Sequence, residues 1–164
     1  MSVVVLVGAP GAGKSTVGRQ LAARRQVPFI DVDAVIEARA GKPIAEIFAD
    51  EGEPAFRTME RDVTLEVLDA DAVVSLGGGA VLDPDIRNAL ADHTVVWLDV
   101  SVTQSSRRVG MNKARPLLLG NVRGRLIELL RQRTPLYEAV ATHRVDTNDA
   151  TAPQVVARIE ELLG

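Results

Sequence analysis

The chain predicts an α/β fold in three layers, a parallel β-sheet with helices on both faces. Short apolar, β-branched runs recur at Val3–Val7, Val27–Val32, Ala72–Leu76 and Thr94–Val100, with a weaker run at His143–Asp146, five candidate strands in all. Stretches with helical spacing fill the intervals. The first run passes straight into a glycine-rich turn and then into a helical pattern. Strands separated by helical segments form parallel neighbours joined by right-handed crossovers. The chain is 164 residues long, the size of one domain when domains run to about 100–200 residues. No repeat, low-complexity tract or linker divides it.

Each element has its reason. Val3–Val7 is apolar at every position, as in a strand buried on both faces. After the glycine turn, Val17, Leu21 and Ala22 share one helical face, and Ala34–Arg39 reads as a helical segment beyond the second strand. Leu65, Val67 and Leu68 follow a polar stretch, and Leu126, Ile127, Leu129 and Leu130 form another apolar stripe. Val155, Val156, Ile159, Leu162 and Leu163 mark the last helix, with Pro153 near its start. Aromatic residues make up only 3%, so the core is built from Val, Leu, Ile and Ala.

Composition removes several function classes. With no cysteine, disulfide frameworks, thiolate metal sites and a cysteine nucleophile are excluded. A net charge of −3 argues against a globally basic nucleic-acid binder. No apolar run approaches the roughly 18 residues of a membrane span, and the opening SVVVLV is too short for a signal-peptide core. A soluble, cytoplasmic protein is expected. Charge is nevertheless segregated. Asp31–Asp71 carries twelve acidic and four basic residues, whereas Arg107–Arg133 carries eight basic residues and one acidic, Glu128. Such a basic run suits a solvated helix face. It equally suits an anion-facing lid, because Gly110, Pro116 and Gly120 fit a loop better than a regular helix.

Gly8-Ala9-Pro10-Gly11-Ala12-Gly13-Lys14-Ser15 matches G-x-x-x-x-G-K-[ST] at every fixed position, in the required place between a buried strand and a helix. In this P-loop motif the glycines let backbone N–H groups point inward as a nest for phosphates, and the following helix adds the positive end of its dipole. Gly11, Ala12 and Gly13 line that nest, Lys14 reaches the β/γ-phosphate oxygens, and the Ser15 hydroxyl ligates Mg²⁺. Thr16 supports the phosphate end nearer the base. A nucleoside triphosphate with magnesium is the expected ligand. A guanine-reading Asn-Lys-x-Asp is missing, since Asn112-Lys113 is followed by Ala114 and Arg115. The length leaves little room for the sensor regions of a large ATPase. A small phosphotransferase remains.

The acceptor side is read from four features. Asp31 and Asp33 stand two apart at the end of the second strand, where alternation points both side chains the same way. The carboxyl ends of parallel strands face the ligand crevice, so one carboxylate can serve the magnesium shell and the other can accept a proton. Asp33 can equally be the N-cap of the following helix. Gly77-Gly78-Gly79 closes the third strand, and three glycines there favour close approach to the backbone over a plain turn. Arg57 lies three residues before Glu60, a spacing that lets the carboxylate hold the guanidinium. Arg133 precedes Thr134-Pro135, where a helix is expected to end, so it either serves that helix terminus or joins Arg57 in clamping an acceptor carboxylate.

These residues together resemble shikimate kinase, the small P-loop kinase related to nucleoside monophosphate kinases. The resemblance spans nearly the whole chain. It rests on GAPGAGKST, Asp31-Val32-Asp33, Gly52-Glu53…Phe56-Arg57…Glu60, Ser75-Leu76-Gly77-Gly78-Gly79-Ala80, Arg115-Pro116-Leu117-Leu118 and Arg133-Thr134-Pro135-Leu136-Tyr137. The family implies a P-loop kinase fold over residues 1–164, with a substrate-binding region at about 33–61 and a mobile lid from about Val109 to Asn121. It implies transfer of the ATP γ-phosphoryl group to the 3-hydroxyl of shikimate, with Mg²⁺, in the aromatic amino-acid pathway, by a chain expected to act as a monomer without nucleic acid or membrane. By the same likeness Asp33 would bind ring hydroxyls and accept the proton, and Arg57 and Arg133 would clamp the carboxylate. Gly78, within Gly77–Gly79, would offer its N–H to the substrate. Arg115 would close over the transferring phosphoryl, Arg108 would lie against the adenine, and Asp31 would sit in the outer magnesium shell. Phe48 and Phe56 would pack beside the substrate. Two departures stand out. Pro43 replaces a small polar residue, and Asn148–Pro153 lacks the basic residue that some relatives place near the nucleotide. Competing readings are another small-molecule kinase of this fold, a regulatory module without transfer activity, and a stand-alone ATPase.

Overall fold

The structure is a computed structural model that describes residues 4–110 and 122–164. Five strands, β1 (Val4–Val7), β2 (Phe29–Asp31), β3 (Val73–Ser75), β4 (Val95–Asp99) and β5 (His143–Asp146), form one sheet in the order β2-β3-β1-β4-β5. Every pairing is parallel, as the alternation of strand and helix patterns predicts. Between them run α1 (Lys14–Arg25), α2 (Val32–Ala40), α3 (Ile44–Glu51), α4 (Glu53–Val67), α5 (Pro84–Leu90), α6 (Val102–Gly110), α7 (Val122–Val140) and α8 (Ala152–Leu163).

The sheet separates two cores, and β1 shows why its sequence has no polar position. Val5 and Val7 belong to a cluster with Ile36, Ile47, Phe56, Trp97 and Tyr137. Val4 and Leu6 point the other way, into a cluster with Val17, Leu21, Val156 and Ile159. Alternate residues of one strand thus feed opposite faces, and all four β1 residues are at most 1% exposed. Gly18 on α1 is where Phe29 crosses the helix, and a Cβ there would overlap the Phe29 ring.

Several sequence expectations are corrected. The second strand is shorter than Val27–Val32, and Asp33 lies in the first turn of α2 rather than on the strand. Its cap is Asp31, whose Oδ1 accepts from Asp33 N–H at 3.0 Å. Asp33 is therefore not the N-cap, and strand alternation is not what orients the two carboxylates. α7 does not stop before Pro135 but runs through it to Val140. A proline inside a helix costs about 3 kcal/mol. Packing of the buried Leu126, Arg133 and Tyr137 along one α7 face opposes that cost. On the same helix Ile127, expected in the apolar stripe, is 49% exposed. α3 and α5 carry too few turns to show a clear period. α5 is instead set by Pro84 in its first turn and by the Asp83 cap, which accepts from Asp85 N–H at 2.8 Å.

Register positions the site. Asp31 pairs with Ser75, and Ser75 with Leu6. The carboxyl ends of β1, β2 and β3 therefore lie level, and the segments at Gly8, Val32 and Gly77 leave the sheet side by side.

Candidate active site

The loop Gly8–Gly13 leaves β1 through backbone shapes that its glycines permit. Gly11 and Gly13 have φ of 79° and 92°, the left-handed region that side chains with a Cβ disfavour. At Gly8 a Cβ would lie 2.6 Å from the carbonyl oxygen of Leu98. No side chain caps α1, so its first N–H groups remain with the loop, as an anion-binding helix start requires. Lys14 Nζ folds over the loop and donates to the carbonyls of Gly8 at 2.6 Å and Ala9 at 3.1 Å. Ser15 Oγ donates to Asp31 Oδ2 at 3.3 Å. One aspartate thus caps α2 with one oxygen and faces the P-loop serine with the other.

The outer side of the loop is held by α6. Ser105, fully buried, donates to the Pro10 carbonyl at 2.6 Å, and Arg108 donates to the Gly11 carbonyl at 2.8 Å. Arg108 also lines a cleft of about 230 Å³ with Ala12, Thr16, Thr147, Ala150 and Val155. Its largely apolar walls suit a flat heterocycle. The Asn148–Pro153 segment, which lacks a basic residue, supplies Ala150 and Ala152 to this wall.

Across the crevice the three glycines behave differently from those of the P-loop. None of Gly77, Gly78 or Gly79 has positive φ. What they provide is room. A Cβ on Gly77 would lie 2.9 Å from Asp33 Oδ1 and 3.0 Å from Glu60 Oε2. One on Gly78 would lie 3.2 Å from Arg133 Nη1 and 3.3 Å from Pro10 Cδ. One on Gly79 would lie 2.5 Å from Arg57 Nη1 and 2.7 Å from its Nη2. Asp33, Arg57 and Arg133, far apart in sequence, therefore converge on one glycine turn that also touches the P-loop. Arg133 lies in the interior of α7 and not at a helix end, with its guanidinium beside Gly78.

Glu60 braces this cluster from below. It is 2% exposed and accepts from Arg57 Nη1 at 2.8 Å. Burial pushes its carboxyl above the usual range, and the neighbouring Arg57 and Arg133 only partly oppose that. Arg133 is 7% exposed, and among the described residues its Nε has no hydrogen-bond partner. Two guanidinium groups at one buried corner, one with a spare donor, suit a carboxylate brought in by a ligand. The ring of Phe56 lies under Arg57, 5.3 Å from the guanidinium carbon, and 4.9 Å from the Phe48 ring. Phe56 is a core residue, and Phe48 packs half-buried against it.

The basic run between Arg107 and Arg133 divides. Arg107 and Arg131 are exposed, the latter paired with Glu128 at 2.9 Å, whereas Arg108 and Arg133 turn inward. Arg115 and most of the expected lid at about 109–121 lie outside the described residues. Sequence reasoning missed Ser105, three positions before Arg108 on the same helix face, and gave no role to Tyr137, four after Arg133. Helical spacing was the available signal for both.

The donor set also fits Mg²⁺. Ser15 and Asp31 offer hard oxygens beside the phosphate nest, and magnesium is held by one or two carboxylates together with substrate phosphates. Among the described residues no group of three or more His, Cys, Asp or Glu could hold a metal by itself.

Known proteins resemble this chain in both sequence and fold. The family model for shikimate kinase matches residues 10–163. A shikimate kinase of Thermobifida fusca is 49% identical, over 98% of this chain and 94% of the relative. One of Mycobacterium avium is 53% identical, over 94% and 89%. Among solved structures, shikimate kinase from Acinetobacter baumannii in complex with shikimate superposes with a TM-score of 0.94 at 39% identity, covering 98% of this chain and 91% of that one. The Aquifex aeolicus enzyme gives 0.86 at 31%, covering 99% and 96%. With a P-loop facing an arginine-lined glycine turn, and with matches that run almost from end to end, the chain belongs to the shikimate kinase family.

Proposed function

We propose that this protein transfers the γ-phosphoryl group of ATP to the 3-hydroxyl of shikimate, giving shikimate 3-phosphate and ADP. The observation that carries this is the meeting of Asp33, Arg57 and Arg133 at the Gly77–Gly79 turn, next to the P-loop. Shikimate presents one carboxylate and three ring hydroxyls. Arg57 and Arg133 take the carboxylate, and Asp33 takes ring hydroxyls with help from the Gly78 N–H. ATP lays its phosphates in the nest of Gly11–Gly13, with Thr16 and Arg108 toward the base. Lys14 exchanges the carbonyls of Gly8 and Ala9 for phosphate oxygens.

Phosphoryl transfer requires positioning and charge neutralisation more than covalent chemistry. The 3-hydroxyl oxygen attacks the γ-phosphorus, the bond from that phosphorus to the β,γ-bridging oxygen breaks, and the hydroxyl proton passes to the Asp33 carboxylate. Lys14 balances charge on the β- and γ-oxygens, and Arg115 covers the transferring group. Mg²⁺, held by Ser15 and the outer-shell Asp31, supplies further neutralisation of the phosphate oxygens when bound. Glu60 keeps Arg57 turned toward the carboxylate. Use of ATP is consistent with a reaction in the cytoplasm. All the groups invoked belong to one chain, which supports action as a monomer.

The test is ADP release from ATP and Mg²⁺ with shikimate, gluconate, AMP or no acceptor. Turnover with shikimate alone is expected. Turnover with gluconate or AMP instead would assign the two arginines to a different anion, and equal ADP release with and without acceptor would indicate a stand-alone ATPase.

A further inference from the structure

The Gly77–Gly79 turn has three carbonyls to satisfy, and two are met by its own backbone. Ala80 N–H donates to Gly77 at 3.1 Å, and Leu82 N–H donates to Gly79 at 3.1 Å. The third, on Gly78, accepts from the Tyr137 hydroxyl at 2.6 Å. Tyr137 is 1% exposed, and its ring packs on Trp97 with centroids 6.0 Å apart. It stands one helical turn after Arg133 on α7, so one face of that helix delivers both an arginine and a hydroxyl to the same glycine.

We propose that Tyr137 is a positioning residue for the acceptor site, fixing the peptide between Gly78 and Gly79 through the Gly78 carbonyl. A peptide unit is planar and trans, so its carbonyl and its N–H point in opposite directions. Anchoring the Gly78 carbonyl toward α7 turns the Gly79 N–H away from α7 and sets the spacing of the turn against Arg57 and Asp33. Without a Cβ, these glycines have little rotational restraint of their own, so an external anchor is what holds one orientation. Burial pushes the Tyr137 hydroxyl up to about 12, which keeps it a donor over the working range of pH. The inference rests on the shikimate kinase reading and adds to it a residue that orients the acceptor loop from behind.

The test compares Tyr137→Phe with Tyr137→Leu in steady-state kinetics and thermal melting. Phenylalanine keeps the packing on Trp97 and removes the hydroxyl, and with it both the bond to the Gly78 carbonyl and the contact with Arg133. A buried carbonyl that loses its donor is left unsatisfied, and part of that cost falls on acceptor binding, so KM for shikimate rises about five- to ten-fold. KM for ATP and kcat stay within about two-fold by the same reasoning. Tyr137→Leu melts lower than Tyr137→Phe but shows the same rise in KM for shikimate. Unchanged KM for shikimate in Tyr137→Phe overturns the inference. So does a joint rise in both KM values, or a KM that tracks melting temperature across the two variants. Failure of the wild-type chain to turn over with shikimate in the same assay overturns the functional reading instead.

Discussion

Alanine at position 79 would place a methyl carbon 2.5 Å from Arg57 Nη1, 2.7 Å from Nη2 and 2.9 Å from Cζ. Ordinary contact needs at least about 3.4 Å, so the guanidinium has to retreat by about 1 Å. The backbone tolerates the change, because Gly79 has φ −97° and ψ 0°, the shape non-glycine residues take at the third position of type I turns. The group that gives way is the end of a flexible side chain, so the backbone can stay where it is. The retreat draws Arg57 from its 2.8 Å bond to Glu60 and out of line with the acceptor carboxylate. A charge-assisted hydrogen bond is worth about 1.5–3 kcal/mol, and each 1.4 kcal/mol is ten-fold. KM for shikimate should therefore rise roughly 10- to 150-fold, with KM for ATP little changed. The assay is initial-rate kinetics with each substrate varied, beside a thermal melt. Gly41→Ala is the contrast. It has open space around its Cβ position but a φ of +71°, so it should cost about 1–2 kcal/mol of stability and leave KM for shikimate alone. Gly79→Ala with wild-type KM for shikimate would refute the reasoning.

Three further outcomes follow from the same geometry. Lys14→Ala should abolish transfer to any acceptor, and near-normal kcat in a coupled ADP assay would overturn the P-loop assignment. Arg133→Ala should weaken shikimate binding by about 2–5 kcal/mol, the scale for truncating one side of a buried charged pair. Calorimetric titration showing unchanged affinity would remove Arg133 from the carboxylate clamp. Burial raises the Glu60 carboxyl, so the folded state binds its proton more tightly than the unfolded chain does. Its contribution to stability is full below the ordinary glutamate range and is lost as pH rises through the raised value. Glu60→Gln lacks this titration. Its stability relative to wild type should climb as pH rises from the acid side toward neutrality, measured by urea unfolding, and a flat difference would contradict the burial argument.

Much of this protein is legible in its residues one by one. The P-loop is a local device, because its nest comes from consecutive backbone groups, and the left-handed φ values at Gly11 and Gly13 are written into the glycines themselves. β1 is apolar at every position because it is buried on both faces, and that too is visible without coordinates. Asp31 and Asp33 were legible as a pair but not as a geometry. The helix begins two residues earlier than alternation suggests, and a capping bond decides which carboxylate faces Ser15. Local rules also misplaced the end of α7, since the proline penalty is local whereas the packing of Leu126, Arg133 and Tyr137 that opposes it comes from the rest of the fold. The glycine triplet is the clearest case. Its composition announces close approach, yet none of the three needs an unusual backbone, and what approaches is Asp33 and Glu60, Arg133, and Arg57 in turn. The chain alone therefore determined the sheet, its nucleotide loop and the stock of charged groups, because each depends on neighbours a few residues apart. The register of β2, β3 and β1 set the glycine turn beside Asp33 and the P-loop, and the packing of α4 and α7 brought Arg57 and Arg133 to that turn, because only tertiary contacts join groups so far apart along the chain.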